Sequence, residues 1–140
     1  MTKRRTNLRT LHAAAAIGFA ADRRGSGVAY ARVTAGGEHL LRVPFHTGRT
    51  LPERETGYAA LTAVARTLRE RGFGCIRFAV DDAALVEDLA GHAILPDAIV
   101  LPYVRLRCAL NQLDDFSVHL AAESDLAARA RAEIALNVAA

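Results

Sequence analysis

The stretch AAAAIGFAADRRGSGVAYARVTAGGEHLLRVPF, residues 13–45, decides how the chain folds. Its opening alanines favour a helix. Against that, Ile17 and Phe19 alternate around Gly18, and a glycine-rich turn, Arg24-Gly25-Ser26-Gly27, follows. Residues 28–34 then read as a strand, Ala35-Gly36-Gly37 is a hairpin signal, and residues 39–45 read as another strand. Pro44 lacks an N–H and places that strand near an edge. Three strands joined by short turns make residues 14–21 the first strand of a meander rather than a helix.

Downstream the period changes. From Pro52 to about Arg71, the residues Tyr58, Leu61, Val64, Ala65 and Leu68 fall at helical spacing, and Gly72 ends the helix. Residues 75–80, CIRFAV, form a short apolar strand. Residues 82–89 form a short helix with Leu85, Val86 and Leu89 inward, stopped at Gly91. Pro96 and Pro102 bracket an irregular stretch, after which Tyr103, Leu106, Leu110 and Leu113 define a helix. Phe116, Val118 and Leu120 alternate as a fifth strand. Ser124 or Asp125 caps a last helix with Leu126, Ala130, Ile134 and Val138 on one face. The order β-β-β-α-β-α-α-β-α predicts an α/β protein: a mixed five-stranded sheet flanked by helices.

The 140 residues (15.0 kDa) suit one domain. A chain of this length buries roughly 70% of its unfolded surface and needs no metal or disulfide to fold. Hydrophobic residues at 51% and charged residues at 24% exclude a disordered tail, a collagen-like chain and a disulfide scaffold. Cys75 and Cys108 form no CxxC or Cys/His cluster, which argues against structural zinc and suits a reducing, cytoplasmic setting. Residues 13–21 are too weakly apolar for a signal peptide, and no run reaches the length of a membrane span. The N-terminal segment carries Lys3, Arg4, Arg5 and Arg9 without a core pattern. It reads as a flexible basic arm over residues 1–12, leaving 13–140 as the domain. With a net charge of +3, an anionic partner is permitted but not demanded.

Several local sequences resemble the type 1 ribonuclease H family, in that family's order. Phe19-Ala20-Ala21-Asp22 precedes Gly25-Ser26-Gly27-Val28, as a carboxylate precedes the family's glycine-rich turn. Gly57-Tyr58-Ala59-Ala60-Leu61 is similar to the opening of the first family helix, Glu-Tyr-x-Ala-Leu. Phe78-Ala79-Val80-Asp81-Asp82-Ala83-Ala84-Leu85-Val86 resembles the Asp-ended fourth strand and its following helix. The segments 103–113, 116–120 and 124–136 follow the family's late helix, strand and capped helix. The resemblance covers about residues 13–138 and implies the ribonuclease H-like fold.

It also implies a metal site of four carboxylates, in which two divalent ions activate water and stabilise the leaving oxygen. Here Asp22 matches the first position and Asp81 the third, and these two would hold any metal. The second position is Gly57. The fourth aligns with Arg129, or with Asp125 in a shifted register. Glu53, one helical turn before Gly57, and Asp125 are the stand-ins. Asp82 is expected to point elsewhere, and His119 to be a solvent-facing strand residue. Read without the resemblance, Asp22 caps a turn and Asp81 caps a helix.

The expectation is a ribonuclease H-like nucleic-acid-binding protein, catalytically inactive or impaired, with no cofactor. Lys3, Arg4, Arg5, Arg9, Arg23 and Arg24 would contact the phosphates of RNA or an RNA–DNA hybrid. In the vacated site Arg129 is expected to bridge Asp22 and Asp81. Two alternatives stand beside this. One is an active ribonuclease H using Mg²⁺ or Mn²⁺ on RNA–DNA hybrids; the other is a protein-interaction module on the same fold. No membrane partner is expected.

Overall fold

A computed structural model describes residues 11–47, 53–91, 94–122 and 124–139. Among them lie five strands and four helices in the expected order. Strands β1 (Leu11–Ala21), β2 (Ser26–Thr34) and β3 (Glu38–His46) form the antiparallel meander. Helix α1 (Glu53–Glu70) returns the chain, and β4 (Phe73–Val80) pairs parallel to β1. Helices α2 (Ala83–Leu89) and α3 (Asp97–Asn111) lead to β5 (Asp115–Leu120), parallel to β4, and α4 (Ser124–Ala139) closes the fold. The strand order is β3-β2-β1-β4-β5, so Pro44 does sit on an edge strand. Leu11 and His12 already belong to β1 rather than to an arm.

Alternation divides the sheet into two faces. Ala15, Ile17, Ala29, Ala31, Val33, Phe78 and Val80 face α1, where Tyr58, Leu61, Val64, Ala65 and Leu68 complete the main core. Val28 and Tyr30 face the other way, under Leu126 and Ala130 of α4, with Ala16 and Ala20 beside them. The alanines of β1 thus let helices approach closely on both sides.

The largest difference from the sequence reading lies before β5. The stretch between Pro96 and Pro102 is not irregular: α3 starts at Asp97 with Pro96 as its N-cap and holds Pro102 inside it. Proline in a helix removes one N–H bond to the carbonyl four residues back. That residue is Ala98, which stands exposed, while Pro102 itself is buried with Ile99 and Leu106.

Candidate functional site

The site is built where β4 ends against the first turns of α1 and α2. Beyond Val80, Asp81 is exposed and Asp82 half-buried. Asp82, not Asp81, caps α2: its backbone is extended and its Oδ1 accepts from Leu85 N at 3.0 Å. Its other oxygen, Oδ2, faces Gly57 so closely that a Cβ there would overlap it. The same Cβ would stand 3.3 Å from Phe19 Cζ. Asp82 therefore points into the site, contrary to expectation. Phe19, Arg54, Asp81, Asp82 and Ala84 line a pocket of about 330 Å³.

Arg54 links this pocket to a buried carboxylate. Its Nη2 lies 2.7 Å from both oxygens of Asp88, and the Tyr58 hydroxyl donates to Asp88 Oδ2. Asp88 is only 2% exposed. Burial, and then the hydrogen bond to Asp88, push the Tyr58 phenol well above its ordinary pKa. The sequence hid this cluster, because Glu87-Asp88 on a short helix reads as a solvated face. The single signal was the spacing of Arg54 and Tyr58, one turn apart on α1.

Asp22 does not join Asp81. Parallel register pairs Ile17 with Val80, which puts Asp81 level with Gly18. Asp22 lies four residues further along, about 13 Å at ~3.3 Å per residue. It performs the alternative role, accepting from Arg24 N at 2.8 Å and Ser26 N at 3.0 Å in the β1–β2 turn. There Gly25 takes a φ of +88°, open to a residue without a side chain. Gly18 cannot supply a carboxylate instead: a Cβ on it would overlap Ala127 N and stand 2.7 Å from Leu126 Cβ of α4.

The remaining positions also disperse. Arg129 does not bridge the acids; its guanidinium lies over the Tyr30 ring, 5.0 Å from the centroid. Asp125 pairs with Arg32 on β2, and that guanidinium lowers its pKa. Both α4 residues are thus engaged with side chains of β2. Glu53 opens α1, but its side chain lies outside the described residues, as do Lys3, Arg4, Arg5 and Arg9. Arg23 and Arg24 are exposed on the turn. His119 is exposed on β5, with its Nε2 3.0 Å from Ser117 Oγ.

A second polar cluster fastens α4. Tyr30 donates to Glu133 Oε1, and Arg42 Nε reaches the two Glu133 oxygens at 2.8 and 2.9 Å. Arg42 first, then Tyr30, hold the Glu133 carboxyl at about 2.

A two-metal centre needs several hard oxygen ligands converging on one point. Among the described residues no three of His, Cys, Asp or Glu come together. Asp81 and Asp82 are the acids at the strand end, Gly18 and Gly57 offer none, and Arg54 brings positive charge to the same pocket. The donors among the described residues do not fit the metal pair that the resemblance implies.

No family model matches the chain, and no curated protein matches its sequence. Solved structures do match. The chain is 21% identical to RNase H1 from the halophilic archaeon Halobacterium salinarum, with a TM-score of 0.73 over 90% of this chain and 98% of that one. It is 13% identical to the N-terminal RNase H domain of a Mycobacterium tuberculosis protein, with a TM-score of 0.71 over 92% and 99%. It is 10% identical to LC11-RNase H1 in complex with an RNA/DNA hybrid, with a TM-score of 0.60 over 86% and 91%. With such similarity over nearly the full length of both chains, the chain has the RNase H-like fold.

Proposed function

We propose that this protein is an RNase H-like nucleic-acid-binding protein that does not cleave its ligand by the two-metal route. One observation carries the reading: Asp81 extends the strand level with Gly18, and the α1 position that faces its neighbour Asp82 is also glycine. Among the described residues, neither β1 nor α1 brings a third acid to Asp81 and Asp82. Nucleic acid is the ligand class because one of the similar structures, LC11-RNase H1, holds an RNA/DNA hybrid. The pI of about 9.3 and the arginines at 23 and 24 suit phosphate contacts. Among the described residues no helix is long and apolar enough to cross a membrane. The free Cys75 and Cys108 suit a reducing cytoplasm.

The test pairs cleavage with binding. An RNA–DNA hybrid incubated with the protein in Mg²⁺ or Mn²⁺ is expected to stay intact. Affinity for it should fall with salt, with a log–log slope of roughly −0.9 per phosphate neutralised. Deleting residues 1–10 should weaken binding and flatten that slope. Cleavage that Asp81→Asn abolishes would return the protein to the active class. Absence of binding at low salt would favour a protein-interaction module.

A further inference from the structure

A second cavity, of about 280 Å³, lies between α1, α3 and the end of β3. Its α1 wall is two rows at four-residue spacing: Glu55, Ala59 and Ala63 beside Tyr58, Thr62 and Arg66. The two alanines hollow it out. Pro102 and Arg105 form the α3 wall, and Phe45, His46 and Thr47 the β3 wall. Arg66 and Arg105 are exposed at its mouth, and neither makes a hydrogen bond or ion pair among the described residues. Two guanidiniums facing one cavity, with no carboxylate between them, attract a doubly charged oxyanion.

The opposite end has the other sign. Glu55 lies three helical turns before Arg66, about 16 Å along the axis. A carboxylate there repels a phosphate and accepts N–H donors. The cavity is thus polarised: an anion at the arginine end, hydrogen-bond donors at the glutamate end, and the partly buried Phe45 beside them. Inorganic phosphate would satisfy one end alone. The volume is near the lower bound of ordinary small-molecule pockets, roughly 300 Å³, and too small for a duplex. We propose that this cavity binds one nucleoside monophosphate, its phosphate on Arg66 and Arg105 and its base toward Glu55. The phosphate can belong to a free nucleotide or to the 5′ end of a strand. This site is separate from the Asp81 pocket, and it stands whether or not the chain cleaves nucleic acid.

Thermal-shift and calorimetric titrations with guanosine monophosphate, ribose 5-phosphate and inorganic phosphate test this directly. The nucleotide should raise the melting temperature and bind more tightly than either fragment. The double variant Arg66→Gln/Arg105→Gln should lose at least about ten-fold in affinity, the value of a charge-assisted contact. Its melting temperature without ligand should stay unchanged, since both side chains are exposed. Ala63→Leu, which fills the cavity from the α1 wall, should weaken binding as well. A 5′-phosphorylated dinucleotide compared with its 5′-hydroxyl form distinguishes the two sources: binding of the phosphorylated form without binding of the free nucleotide assigns the strand end. Failure of both phosphate forms at millimolar concentration overturns the proposal. So does binding that the double variant leaves unchanged, or equal binding of the 5′-hydroxyl dinucleotide.

Discussion

The carboxylate of Asp82 fills the space in front of Gly57. The helix α1 position that lacks a side chain faces the acid that caps α2, and the two cannot both carry bulk there. A glycine inside a helix costs about 1 kcal/mol relative to alanine. At position 57 that cost is the condition for the α2 cap and for Phe19 to close over the pocket.

Gly57→Ala should therefore be nearly neutral in the native background. The gain of about 1 kcal/mol in helix propensity is offset by displacement of a cap of similar value. With Asp82→Ala already present, the same substitution should stabilise by about 1 kcal/mol. Urea denaturation of the four proteins in a double-mutant cycle measures the coupling. Simple additivity would mean that the two residues do not share one space.

Gly18→Ala should behave differently, because the obstruction is backbone. A methyl group at 18 meets Ala127 N and the Leu126 side chain, neither at the end of a mobile group. Overpacking of this kind costs about 1–3 kcal/mol. A drop in the denaturation midpoint with an unchanged slope is expected; no change would show that α4 can retreat without loss.

Asp88→Ala strips the partner from both Arg54 and Tyr58. Breaking a buried pair from one side costs about 3–5 kcal/mol, and the partial exposure of Arg54 argues for the lower end here. Tyr58→Phe removes only the hydroxyl and should cost about 1 kcal/mol. Equal losses from the two variants would contradict this ranking.

Acid should reveal the α4 fastening. The Glu133 carboxyl is held at about 2 against an ordinary 4.5, so the ionised form is favoured by folding. Its stabilisation is fully present above 4.5 and is lost as pH falls from there through 2. The stability difference between the native protein and Glu133→Gln should be wide at pH 6 and close by pH 2. Chemical denaturation across that range measures it, and a gap independent of pH would exclude the ion pair as its source.

The strand and helix order was legible because its signals are local. Alternation around Gly18, the two glycine turns and the helical stripe from Tyr58 to Leu68 each need only a few neighbours. The site was legible only in part, because its geometry depends on register between segments some 60 residues apart. Phe19-Ala20-Ala21-Asp22 looks like a strand ending in an acid, and nothing nearby reveals that β4 stops level with Ile17. Pro102 misled for the related reason that tertiary packing around its buried ring outweighs its helix penalty. Arg129 was read through a motif position, whereas its partner, the Tyr30 ring, lies on a strand 99 positions earlier.

That last helix also sets an order on the making of the protein. The contacts that hold it span 103 residues from Tyr30 to Glu133 and 91 from Arg42 to the same acid. The meander of β1, β2 and β3 joins near neighbours and can assemble early, whereas closing loops of such length is slow. During synthesis, Val28 and Tyr30 stay uncovered on one side of the sheet until Leu126 and Ala130 have left the ribosome. A nascent chain stopped before residue 124 would present that bare, alanine-paved face to other chains, and chaperone dependence or aggregation would follow.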